Sequence, residues 1–403
     1  MLAVFGIGAS RQSDLQGENH SGSVVSQPPA NVAAVSIQPE AQTFNNQEGT
    51  TPAISSDKNA DVVPQPTAQV AQQAQPAQQA QASVSSPGFS ALPVFLQNFA
   101  KDWKPEKSGG CLEIWDFTPG LKNVPKWLYT PDSPDGLNTT NAYYILAGML
   151  IRNKVVDAST CPAGGLASTN RDNLAANNCG MELALPAVVS WQNRFDRQIY
   201  DTAQQTGVPA VLLKNVFRQE SQFWPGVFLM ETEGGLGQMT TGGVDTLLLW
   251  SPSLFQNICN KSFTQDVCNQ GYPRLNSAEQ AILQGALFQL LDATCPDCVG
   301  GIDADQADFT VNLFAENLLS NCKQVSGIVN EQTKLDSPSL VSTYSDLWKM
   351  TLFNYNAGSG CLERAVLRAW NQDSSTLLTW DRVAAQVDPD CVGGVQYVDQ
   401  IAK

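Results

Sequence analysis

Three short stretches of this chain carry residue types and spacings that can do acid–base chemistry. "NVFRQESQFW" at 215–224 ends an apolar run with Glu220 and Ser221. "EGGLGQMT" at 233–240 is a Gly-rich turn with a polar Gln238 among apolar neighbours, eighteen residues after Glu220. "NYNAGSG" at 354–360 ends an apolar helical pattern with Tyr355 and Asn356 before Gly358. Leu212 and Val216 lie eight and four residues before Glu220, Leu213 and Phe217 seven and three. Residues three and four apart share a helix face, so Glu220 continues the apolar face rather than the wet one. A carboxyl placed there is desolvated, its pKa rises, and it keeps its proton near neutrality, as a general acid requires. The competing reading is a Glu at a frayed helix end, turned out to water.

Other chemistries are excluded by composition. The only histidine of the 403 residues is His20, far from any folded pattern. Ser–His–Asp and Cys–His mechanisms therefore lack a base, and His-containing zinc sites lack a ligand. No metal site and no cofactor are expected. "GGLGQM" is no dinucleotide fingerprint, because no strand precedes it. The net charge is −15, from 23 basic and 38 acidic residues, with no Lys/Arg cluster; no nucleic-acid partner is expected.

Ten cysteines, all beyond residue 110, point to disulfides and to an oxidising, secreted or extracytoplasmic location. The sequence does not fix their connectivity. Cys161–Cys179, Cys259–Cys268 and Cys361–Cys391 are candidate local pairs. "CPDC" at 295–298 has the spacing of a thioredoxin-like redox pair or half a four-cysteine zinc site; its place after a helical stretch, among many other cysteines, disfavours the first, and the other cysteine spacings, which are not knuckle-like, disfavour the second. The opening "MLAVFGIGAS" is either the tail of a signal sequence or an apolar stub; it lacks a positive n-region.

The elements that must position these residues read as follows. Residues 11–88 are rich in Gln, Ala, Pro and Ser, as in "AQVAQQAQPAQQAQA" at 68–82, and predict a disordered tether. The domain reading is 1–88 tether, 89–190 accessory and mostly helical, and 191–403 the main domain. The apolar run "AYYILAGMLI" at 142–151 fits a core helix. "WQNRFDRQIYDTAQQTG" places Phe195, Ile199 and Ala203 at four-residue spacing and stops at Gly207. Pro209 opens the next helix, which carries Glu220. Further helices are expected at 278–293, 306–321, 338–357 and 361–371. No alternating strand pattern appears, so the class is mainly α.

Taken in order, Glu220-Ser221, Gly235-Leu236-Gly237-Gln238 and Asn354-Tyr355-Asn356-Ala357-Gly358 resemble the lytic transglycosylases related to soluble murein transglycosylases and, more distantly, goose-type lysozyme. Tyr397-Val398 echoes a closing element of that family. The resemblance covers about 191–250 and 340–401. Departures are Gly237, where the family usually has Met, Thr241, where it has Pro, and a long gap from Gln238 to Tyr355. That gap predicts a disulfide-bearing helical insertion at about 251–338. The resemblance implies a lysozyme-like fold acting on peptidoglycan glycan strands. Glu220 would be the single acid/base cleaving the β-1,4 bond after N-acetylmuramic acid, leaving a 1,6-anhydro product. Ser221, Gln238, the backbone at Leu236, and Asn356 would contact or support the substrate site. Tyr355 would orient Glu220, and Trp224, with Phe223, could stack on sugars. Plain hydrolysis would need a second carboxylate, with Glu231, Glu233 and Asp245 as candidates. A non-catalytic peptidoglycan-binding scaffold is the alternative from another class. A monomer is expected, unless the chain serves a larger envelope or phage assembly.

Overall fold

The computed structural model describes residues 92–117, 124–167, 174–226 and 233–403. The expectations for the tether and for Glu231 fall outside them. The described chain is mainly helical: α1 (Val94–Asp102), α2 (Cys111–Ile114), α3 (Tyr144–Arg152), α4 (Asn178–Asn193), α5 (Asp196–Thr206), α6 (Ala210–Ser221), α7 (Thr241–Trp250), α8 (Pro252–Ser262), α9 (Gln265–Cys268), α10 (Ser277–Leu291), α11 (Ala304–Thr333), α12 (Tyr344–Ala357), α13 (Ser359–Gln372), α14 (Trp380–Ala384) and α15 (Val392–Ile401). Between α6 and α7 lies a two-residue antiparallel ladder, β1 (Glu233–Gly234) against β2 (Met239–Thr240).

The 30-residue α11 is the axis of the core. It packs against α2, α5, α7, α10, α12 and α13 and buries Val311, Leu313, Phe314, Leu318, Val325 and Val329. Asp303 starts it by accepting from the Gln306 N–H, and Lys334 ends it in a left-handed conformation. It lies within the stretch expected as an insertion, 251–338. Residues 304–333 are the element the other helices pack around, and the helix runs well past the expected 321. All described residues, on both sides of the expected boundary at 190, belong to one compact unit. A hydrophobic period identifies a buried face, but not whether that face covers a core or forms its centre.

Five disulfides join all ten cysteines. The local pairs are Cys161–Cys179, Cys259–Cys268, Cys361–Cys391 and, within "CPDC", Cys295–Cys298. Cys111–Cys322 is the long-range one, with a sequence separation of 211; it ties α2 to α11. The Trp115 indole N–H donates to Cys322 O beside it, at 3.1 Å. Among the described residues no helix is long and apolar enough to cross a membrane.

Candidate active site

Helix α6 begins where the chain must turn. Gly207 closes α5 with φ of 69°, a left-handed position glycine takes without strain. Pro209 then precedes the first turn of α6. The buried face is Leu212, Leu213, Val216 and Phe217, and Glu220 follows one turn later, half-buried. The helix stops through two non-glycine left-handed residues, Gln222 (φ 48°) and Phe223 (φ 68°). Their N–H groups both turn back to Phe217 O. The Gln222 side chain offsets part of that strain. Its Oε1 accepts from the Ile145 and Leu146 N–H groups at 3.0 and 3.4 Å, capping α3, which has no side-chain cap of its own.

The Glu220 carboxyl accepts a short hydrogen bond from the Tyr397 hydroxyl, on α15. Burial pushes its pKa up to about 8; the Tyr397 bond pulls it down, and the charge of Glu233 raises it further. Glu233, on β1, is itself raised by burial. Tyr355 and Tyr397 lie with ring centroids 6.4 Å apart, and both phenols are held well above their usual range, by burial first and then by the Glu220 charge. Helix α6 also anchors α15 directly. Asn215 donates to Ile401 O at 3.2 Å, Arg218 to Gln400 O at 2.9 Å, and Gln219 to the Gln400 side chain at 2.5 Å. These bonds satisfy carbonyls that the end of α15 would otherwise leave open, and they fix the helix carrying Tyr397.

The hairpin β1–β2 lies over the end of α6. Its turn uses Gly235 (φ 76°) and Gln238 (φ 49°). Ser221 is 1% exposed, and its hydroxyl donates to Leu236 O at 2.8 Å. The Gln238 amide donates to Gly235 O at 2.7 Å and Gly226 O at 3.1 Å. The Tyr355 hydroxyl donates to Gly237 O at 2.6 Å. The structure thus brings Glu220, Ser221, Leu236, Gln238 and Tyr355 together, but several with other partners than expected. Ser221 is turned into the protein and pins the turn. Tyr355 holds the turn rather than Glu220; Tyr397 holds Glu220. The Leu236 carbonyl is occupied by Ser221. Trp224, only 3% exposed, stacks on Trp191 at 5.6 Å and offers no face to a sugar; Phe223 is fully buried. Asn356 is exposed at the end of α12. Buried polar groups must be satisfied, and here the backbone of the turn is the nearest partner.

Gly237 has a steric explanation. A Cβ built there would stand 2.9 Å from Phe314 Cζ and closer still to two other ring atoms. The Phe314 ring, from α11, fills the space a side chain at 237 would need. It also packs on Phe217 at 5.2 Å and on Tyr355 at 5.4 Å, so one ring touches all three stretches of the site. Sequence reasoning missed Phe314 because it lay in the supposed insertion, and named Tyr397 only as an echo. It also missed Lys214, in the middle of α6. That side chain is buried, with its ammonium 2.6 Å from Asp196 and within hydrogen-bond reach of Leu137 O and Asn193. Burial lowers the Lys214 pKa and raises that of Asp196, and the pairing opposes both shifts. A lysine inside an apolar helical run was the available signal. Asp245 belongs elsewhere, accepting from Tyr272 and Gln284. Among the described residues no group of three metal-ligating side chains occurs.

The chain matches no protein-family model, no curated protein and no solved structure.

Proposed function

We propose that this protein is a peptidoglycan lytic transglycosylase with Glu220 as its single acid/base. The observation that carries the reading is a half-buried carboxyl, held by Tyr397 beneath a pinned hairpin turn, whose pKa of about 8 keeps it protonated at neutral pH. Glu220 gives its proton to the glycosidic oxygen as the bond from the muramyl C1 breaks. The acetamido oxygen of the same sugar stabilises the positive C1. The Glu220 carboxylate then takes the proton of the C6 hydroxyl as O6 bonds to C1. The product is a 1,6-anhydro sugar, no water is consumed, and Glu220 ends protonated as it began. Tyr397 donates to Glu220 throughout, and its bond strengthens when the carboxyl carries charge. The hairpin turn, fixed by Ser221, Gln238 and Tyr355, supplies the wall against which the N-acetyl group would rest. A lysozyme-like fold and an extracytoplasmic location belong to the same proposal, the latter supported by the five disulfides.

The test is mass spectrometry of muropeptides released from purified murein. Wild type is expected to leave 1,6-anhydro ends, and Glu220→Gln to release nothing while still binding murein. Equal release by both proteins, or by neither, sinks the enzyme reading and leaves a binding scaffold. Glu233 supports one further reading, because its charge is felt by Glu220. A second carboxylate beside a protonated one is the arrangement of a two-carboxylate hydrolase. Reducing ends in place of anhydro ends would establish it, with Glu233→Gln as inactive as Glu220→Gln.

A further inference from the structure

The corner between α4 and α5 carries Trp191, Arg194 and Phe195. The Arg194 guanidinium lies over both rings, 5.1 Å from the Trp191 centroid and 5.0 Å from that of Phe195. Two aromatic faces thus hold it flat and in place, at the C-cap of α4, where a helix end favours a cation. Its side chain is exposed, and among the described residues it forms neither an ion pair nor a side-chain hydrogen bond. Asp308 feels its charge without pairing to it. In a chain of net charge −15, this is a positioned set of unused N–H donors.

Beside it opens a cavity of about 420 Å³ lined by Val155, Ala187, Ser190, Trp191 and Arg194. Val155, 42% exposed, and Ala187 give it apolar walls open to solvent. Ser190 adds an exposed hydroxyl at the rim. The Trp191 ring joins this corner to the segment that follows α6. Trp191 packs on Trp224, four residues past Glu220, and its indole N–H donates to Phe223 O at 2.9 Å.

We infer that Arg194 and this cavity bind a carboxylate with an apolar substituent beside it. The guanidinium fork takes the carboxylate in paired hydrogen bonds, and the apolar substituent rests on Val155 and Ala187. Murein carries this chemistry twice, in the lactyl ether of each muramyl residue and in the terminal alanine of its peptides. Naming murein as the source rests on the proposed function; the carboxylate site itself does not. Occupancy here would anchor a glycan or its peptide at the Trp191 corner.

The test follows the Trp191 indole N–H resonance of the full chain during titration with small probes. N-acetylmuramic acid is set against N-acetylglucosamine, which lacks the lactyl group, and D-alanyl-D-alanine against its C-terminal amide. The carboxylate probes are expected to bind at least about tenfold tighter than their uncharged partners, a preference that Arg194→Gln abolishes. Arg194→Lys, which keeps the charge and loses the fork, is expected to fall between. A response to the sugar pair alone assigns the lactyl group, and a response to the peptide pair alone assigns the alanine. Equal binding of charged and uncharged probes, or unchanged affinity in Arg194→Gln, overturns the site. With murein as substrate, Arg194→Gln should raise KM about tenfold and leave kcat alone. The two readings fail separately. Carboxylate binding that depends on Arg194 in a protein that never cleaves murein sinks only the proposed reaction. Murein cleavage with Arg194-independent binding sinks only this site.

Discussion

The pairing of Gly237 with Phe314 makes a prediction that does not depend on the reaction. Gly237 lies outside the left-handed region, so nothing in its backbone demands glycine; the demand comes from space. Ordinary contact with an added Cβ begins near 3.4 Å, and the nearest ring atoms of Phe314 lie well inside that limit. The ring must therefore move by more than an ångström. It has nowhere to go, being 1% exposed and wedged between Phe217 and Tyr355. Gly237→Ala should cost about 1–3 kcal/mol, the usual range for overpacking. Phe314→Ala should cost about 3–5 kcal/mol by opening a cavity. In the double variant Gly237→Met/Phe314→Ala, the new side chain enters the vacated space. Its cost should fall at least about 1 kcal/mol below the sum of the Gly237→Met and Phe314→Ala costs. Denaturant unfolding of the three variants and wild type, read as a double-mutant cycle, measures this coupling. Additivity within about 0.5 kcal/mol would show that Phe314 does not occupy the missing side chain's place.

Two other predictions concern Glu220. Its folded pKa of about 8 lies above the unfolded value, so between roughly pH 4.5 and pH 8 the folded state binds more protons and stability falls as pH rises. Glu220→Gln should therefore be more stable than wild type by an amount that grows up to about 1 kcal/mol per pH unit across that window and vanishes near pH 4, measured by thermal unfolding at several pH values. The neighbours act in opposite directions: Tyr397→Phe should raise the Glu220 pKa and Glu233→Gln should lower it, as read from carboxyl carbon resonances or from the alkaline limb of the pH–rate profile. Shifts of the same sign in both variants would contradict the geometry.

Much of the local architecture was legible. Gly207 and Pro209 marked the break between α5 and α6, and the four-residue spacing of Leu212, Val216 and Glu220 placed the carboxyl on the buried side. The mainly α class and three of the cysteine pairs were legible for the same reason, since each depends on residues close in sequence. The central place of α11 was not legible, because a helix shows the same periodicity whether it caps a core or runs through it. Ser221 was legible as a polar residue at a helix end, but not as one whose hydroxyl faces a backbone carbonyl.

By itself the sequence determined which side chains are available: a single histidine, a carboxyl on an apolar helix face, a glycine-rich turn eighteen residues later. The tertiary structure decided what each of them touches. Tyr397 reaches Glu220 across 177 residues, Phe314 fills the space at Gly237, and Glu233 comes close enough to raise the Glu220 pKa. Helix phase and turn chemistry are set within a few residues. Desolvation, charge coupling and steric fit are set by whatever the fold packs alongside, and for Glu220 those partners arrive from helices and a strand that the chain makes later.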